Sequence, residues 1–221
     1  MGAVLLASQA DPSPEVVGRA AAVLRAEGVA VLPTDSVYGI CCAALPGNPA
    51  HARIFDIKRR DRAQTLPWFV ADPADLARYG RDVPAWALKL AERHWPGALT
   101  IVVRASDAVP PEYAQPGEAG ATIALRVPDS ELDRAIVRAL GCPLAQTSAN
   151  THGAPAATSG AGLDPAIVAA ADLVIDAGAA PVGVASTIVD ATGPEPRVLR
   201  AGALTEADVL LAARRPTEPP A

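Results

Sequence analysis

Apolar and polar positions along the chain switch between periods of about 3.6 and 2 residues, and the switches mark out the elements. Residues 14–27 place Val16, Val17, Ala20, Val23 and Leu24 on one face, which predicts an amphipathic helix stopped by Gly28. The run Val-Ala-Val-Leu that follows is apolar throughout and predicts a buried strand ended by Pro33. Asn48 and Pro49 offer an N-cap and a first helical residue for a helix that reaches Lys58-Arg59-Arg60. Asp72-Pro73 repeats the device for a short helix closed by Gly80, and residues 83–95 make another, halted by Pro96-Gly97. Strands are predicted at 99–104, 121–127, 143–147, 173–177, 186–190 and 197–200, with a helix at Glu131–Leu140 between the second and third. Residues 151–165, rich in small side chains, predict a long mobile connection suited to a lid. Helix and strand alternate from end to end, so the fold class is α/β.

Length and charge narrow this picture. At 221 residues the chain can bury a real core as one domain, set here at 12–212, after an N-terminal segment (1–11) and before a flexible proline-rich tail (213–221). No apolar run approaches the about 20 residues of a membrane span, and the opening residues lack the basic start of a signal peptide. Three cysteines, two of them adjacent (Cys41, Cys42), build no disulfide framework, and Cys41-Cys42 read as small core residues. The expectation is a cytoplasmic protein without a membrane role. A net charge of −5 argues against a general nucleic-acid coat and leaves room for a local basic pocket.

Familiar chemistries are missing from the sequence. It has no G-x-x-x-x-G-K-[ST] loop, no G-x-G-x-x-G after a strand, no H-E-x-x-H and no G-x-S-x-G elbow. What remains are polar groups at the ends of apolar strands, where open α/β sheets place ligands. These are Thr34-Asp35-Ser36-Val37-Tyr38, Lys58-Arg59-Arg60, Arg126, Thr147-Ser148-Ala149-Asn150, Ser186-Thr187 and Arg200. Each has a structural reading beside the functional one. Asp35-Ser36 suits a turn, Lys58-Arg59-Arg60 a solvated helix end, Ser148-Ala149-Asn150 a cap, and the two arginines ion pairs. Their joint occurrence after successive strands favours one cavity that supplies donors to phosphate and carboxylate oxygens.

At these clusters the sequence resembles the threonylcarbamoyl-AMP synthase family, the YrdC-like domain. The matching segments, in family order, are Pro33–Gly39 (P-T-[DE]-[TS]-x-Y-G), Lys58-Arg59-Arg60 (K-x-R) and 95–100 (W-P-G-x-L-T). They continue with Arg126-Val127-Pro128 (R-x-P), Ser148-Ala149-Asn150 (S-A-N), Ser186-Thr187-Ile188 (S-T-I) and Leu199-Arg200-Ala201-Gly202 (L-R-x-G). The resemblance implies a single-domain, twisted mixed sheet with flanking helices around a large basic cavity, in the short form of the family. It implies that L-threonine, bicarbonate and ATP become threonylcarbamoyl-AMP and pyrophosphate. Mg²⁺ would accompany ATP, and partner proteins would pass the group to adenosine in tRNA. RNA binding, double-stranded RNA included, is a further expectation.

By the same resemblance Lys58 and Arg60 are catalytic and neutralise the triphosphate, with Gln64 beside them. Thr122, Ser148, Asn150, Ala156 and Arg200 would contact the nucleotide. Ser36, Arg126, Gln146 and Ser186 would hold threonine, Arg126 by its carboxylate. No protein side chain is assigned to a metal. Three departures from the family pattern point towards its YciO-like branch. Asp61 follows K-x-R in place of proline, Phe69 stands where some members have histidine, and Ser36 where threonine is commoner. The alternatives are therefore a YciO-like nucleotide- or RNA-binding protein and a carbamoyl-adenylate enzyme with another substrate.

Overall fold

The computed structural model describes residues 3–118, 120–151 and 153–214. Among these, the helices are α1 (Pro14–Arg25), α2 (Pro49–Lys58), α3 (Asp75–Tyr79), α4 (Ala85–His94), α5 (Glu131–Leu140), α6 (Pro165–Ala170) and α7 (Glu206–Arg214). The strands are β1 (Ala3–Leu6), β2 (Ala30–Leu32), β3 (Gly39–Ala43), β4 (Trp68–Phe69), β5 (Gly80–Arg81) and β6 (Leu99–Ala105). They continue with β7 (Thr122–Arg126), β8 (Leu144–Ser148), β9 (Leu173–Asp176), β10 (Thr187–Asp190) and β11 (Arg197–Arg200). All join one twisted mixed sheet in the order β1-β9-β2-β3-β8-β4-β7-β6-β10-β11, with β5 paired to β6.

Local chemistry sets most boundaries. Asn48, Ser130 and Asp164 each accept a backbone N–H of the helix they open, a cap worth about 1 kcal/mol. The α1 helix stops two residues before its predicted end because Glu27 takes a left-handed conformation ahead of Gly28. Asp72 caps a turn through Ala74 N, and α3 proper starts at Asp75. Sequence reading missed β3, whose five residues are all buried; a strand covered on both faces has no polar alternation to reveal it. The segment set apart at 1–11 contributes β1, which runs parallel to β9 at the sheet edge. Of the tail from residue 213, residues 213 and 214 belong to α7, and 215–221 lie outside the described residues.

Two apolar layers flank the sheet. One holds Ile54, Trp68, Leu90, Ile101, Ile123 and Leu125 beneath α2, α4, α6 and α7. The other, under α1 and α5, holds Leu24, Leu32, Cys41, Phe69, Leu132, Ile136, Leu144 and Ile175. Strand alternation then decides where the sheet stays open. On the α1–α5 face the next positions along β3 and β8 are Gly39, Gln146 and Ser148. On the neighbouring strands the positions that line the cavity are Ala124 and Arg126 of β7, Thr100 and Val102 of β6, and Ile188 of β10. Both helices end short of these strands, and the uncovered part of the face is the floor of a cavity.

Candidate active site

The cavity has a volume of about 330 Å³. Its wall brings together eight residues singled out from the sequence: Ser36, Arg60, Arg126, Gln146, Ser148, Ala156, Ser186 and Arg200. They come from seven separate stretches of chain and share one chamber.

Arg126 is the most constrained of them. Its guanidinium is 3% exposed and donates from Nε to Gly97 O (2.9 Å), from Nη1 to Ser36 Oγ (2.8 Å) and from Nη2 to Asp35 Oδ1 (2.6 Å). Its Cζ lies 5.1 Å from the centre of the Phe69 ring, a cation–π contact. Burial pulls the guanidinium pKa down, and Asp35 opposes that pull. An arginine has five N–H donors, so two remain for a ligand. The Trp95-Pro96-Gly97 turn that presents the Gly97 carbonyl is fixed by Trp95 Nε1 donating to Leu99 O (2.7 Å) and by Gly97 N donating to Val127 O (2.9 Å).

Around Arg126 the hydroxyls form a chain. Thr34 Oγ1 lies 3.1 Å from Ser36 Oγ, and Ser186 Oγ lies 2.9 Å from Thr100 Oγ1. Arg200 donates to Ser186 O (2.7 Å) and Ser186 Oγ (3.1 Å). Gly202 lets β11 pass close against this turn, since a Cβ there would collide with Ala185 O. Gln146 is buried with neither amide atom hydrogen-bonded. A Cβ on Gly39 would occupy the space of that amide, which is why glycine stands across the sheet from it. A buried amide without a partner costs about 1–3 kcal/mol, so Gln146 is poised for a polar ligand.

Arg60 faces the chamber, held by Gln64 Oε1 (2.8 Å) and Thr147 Oγ1 (3.0 Å), and burial lowers its pKa. Gln64 itself is exposed and acts on Arg60. Lys58 is not on the wall. Its ammonium is buried behind the Ser148–Asn150 turn and donates to Ser148 O, to Asn150 O (2.6 Å) and to Asn150 Oδ1 (3.4 Å). Burial first, and Arg60 second, push it down to about 8. Asn150 turns its amide to Ala154 O (2.6 Å) and lines an adjoining chamber of about 390 Å³. Ala156 belongs to both chambers. Thr122 lies one step beyond Ala124 on the same face of β7, outside the wall.

The segment expected to be a mobile lid is tied down. Ala157 O accepts from Tyr38 N (2.8 Å), and Thr151 Oγ1 donates to Asp164 Oδ2 (2.7 Å). The buried Tyr38 hydroxyl in turn sits between Asp176 Oδ1 (2.8 Å) and Gly178 O (2.7 Å). Sequence reasoning did not assign Asp35, Thr65, Thr100 or the apolar wall of Val102, Ile188 and Leu199. For Thr100 the signal was available: it precedes Val102 by two residues in a predicted strand.

These motifs and this fold have counterparts. The family model that matches is that of the Sua5, YciO and YrdC proteins, described as telomere recombination, and it spans residues 22–202. The chain belongs to the Sua5/YciO/YrdC family. Within that family it is 32% identical over 194 residues to the Bacillus subtilis (strain 168) threonylcarbamoyl-AMP synthase, covering 87% of this chain and 55% of the relative. The chain thus spans about half the length of this curated relative. Among solved Sua5/YciO/YrdC structures, Pyrococcus abyssi Sua5 complexed with L-threonine superposes with a TM-score of 0.87 at 30% identity, covering 95% of this chain and 60% of that one. Escherichia coli YciO gives 0.81 at 26% identity, covering 95% and 100%.

Proposed function

We propose that the chain is an L-threonylcarbamoyladenylate synthase, joining L-threonine, bicarbonate and ATP and releasing pyrophosphate. The observation that carries this reading is the composition of the cavity wall. Three arginines and several hydroxyls converge there, while the wall includes no Cys, His, Lys, Asp or Glu among the described residues. Such a donor set suits the positioning and neutralising of anionic reactants. The proposed chemistry needs nothing more. The amine attacks the bicarbonate carbon and water leaves; a carbamate oxygen then attacks the α-phosphorus and pyrophosphate leaves. Orientation of well-placed reactants lowers such barriers by roughly 7–11 kcal/mol.

In this reading the two spare donors of Arg126 take the amino-acid carboxylate. Ser36, Gln146 and Ser186 surround the rest of the molecule. Arg60 and Arg200 face the phosphates, and the nucleotide crosses Ala156 between the two chambers. Mg²⁺ would accompany the ATP. The related Sua5 that holds L-threonine and the synthase named in Bacillus subtilis support the choice of substrate. The product would pass to partner proteins that modify tRNA. No described helix is long and apolar enough to cross a membrane.

Arg60→Ala tests the phosphate side. We expect threonine-dependent pyrophosphate release to fall by at least about a hundredfold with an unchanged circular-dichroism spectrum. Unchanged turnover would remove Arg60 from the site. The likeness to YciO supports a second reading, nucleotide binding without turnover, for which ATP would bind and no pyrophosphate would appear.

A further inference from the structure

On the buried face of α5, among Leu132, Ile136 and Val137, stands a charged residue: Asp133, 0% exposed. Neither of its carboxylate oxygens has a hydrogen-bond partner of good geometry, the neighbouring hydroxyl being that of Ser130. It does not line the cavity; from behind the wall it lies within electrostatic reach of Asp35 and Arg126. Asp35 Oδ2 is likewise buried and unpartnered, while Asp35 Oδ1 takes the Arg126 guanidinium. One buried arginine therefore pairs with Asp35 and lies near a second buried carboxylate that it does not touch, in a place where a helix of this pattern calls for an apolar residue.

We propose that Asp133 is a positioning residue of the cavity that acts through Arg126, its charge setting how firmly that guanidinium holds an anionic group. The proposal rests on the reading of Arg126 as the amino-acid carboxylate site. With Asp133 neutral, Arg126 and Asp35 balance and the two spare N–H donors meet an incoming carboxylate without repulsion. With Asp133 ionised, one more negative charge acts on the guanidinium in a low-dielectric setting, only partly offset by Arg134 and by Arg200 across the wall, and the same carboxylate is held less firmly.

The change of charge falls in the physiological range. Burial pushes the Asp133 carboxyl up to about 7; Ser130 opposes the rise, Asp35 adds to it, and Arg126 and Arg134 oppose it. Cys41, on the strand beneath, has its thiol raised well above the ordinary range by burial, then by Cys42 and Asp133, and stays protonated throughout. The sign follows. A carboxyl whose folded pKa is raised leaves the fold unpenalised at low pH, and the penalty grows as pH climbs towards that folded value.

The test is calorimetric titration of L-threonine into the full chain without nucleotide, from about pH 5.5 to about pH 8, where the zwitterion largely keeps its charge. We expect wild-type affinity to weaken roughly fivefold across this range, with its midpoint near 7. Asp133→Asn and Asp133→Leu should each bind at the tight, low-pH value with no slope. Both should also raise the melting temperature over wild type, more at about pH 8 than at about pH 5. A wild-type slope kept by either folded variant, or a flat wild-type profile, overturns the proposal alone. No L-threonine binding at any pH overturns the reading of Arg126 and this proposal with it.

Discussion

Arg126→Ala is expected to abolish synthesis, with turnover down at least about a thousandfold, and to destabilise the fold by roughly 3–5 kcal/mol. Both effects follow from its place. Arg126 is the buried partner of Asp35, and removing it leaves a carboxylate inside the protein with one oxygen already unpartnered. It also removes the donors proposed for the substrate. The two effects separate in the double variant Asp35→Asn, Arg126→Met, which takes out both charges. Thermal melts should recover most of the lost stability, since a buried pair replaced by neutral groups is often close to neutral. L-Threonine affinity should not recover. A double variant that binds normally would show that Arg126 serves the fold alone.

Lys58→Met should have the second-largest effect, through a different route. The Lys58 ammonium bridges the carbonyls of Ser148 and Asn150 from behind, so its loss frees the turn that separates the two chambers. We expect the KM for ATP to rise about a hundredfold and stability to fall by roughly 2–3 kcal/mol, the cost of leaving buried carbonyls without a charged donor. Calorimetric L-threonine affinity should change less than about threefold, because the Arg126 cluster makes none of these contacts. Equal losses for both ligands would assign Lys58 a general folding role.

How much of this was legible beforehand depends on the range of the signal. Caps and stops are local, so Asn48-Pro49 placed its helix correctly; Ser130 and Gly141, which cap and end α5, were equally local signals that went unread. Alternation is also local, which made β6, β7 and β10 readable and put Arg126 and Ser186 at strand ends. The direction of Lys58 was not readable. A basic residue ending a helix looks the same whether it faces solvent or reaches under a turn 90 positions later in the chain. The anchoring of residue 157 was unreadable for the same reason: small residues signal a loose segment, while Tyr38, over a hundred positions earlier, supplies a bond to Ala157. Asp133 carried a signal that went unused. An acidic residue inside the stripe formed by Leu132, Ile136 and Leu140 conflicts with its helix, and such conflicts between local pattern and position tend to mark sites.

Incubating purified protein with MgATP, bicarbonate and a panel of single amino acids, then weighing the adenylates by mass spectrometry, probes the central idea directly: a chamber that aligns three reactants and bonds to none of them. The expected result is one new species with the mass of threonylcarbamoyl-AMP, formed with equimolar pyrophosphate only when all three reactants are present. A covalent adduct on the protein, or pyrophosphate released without bicarbonate, would contradict it.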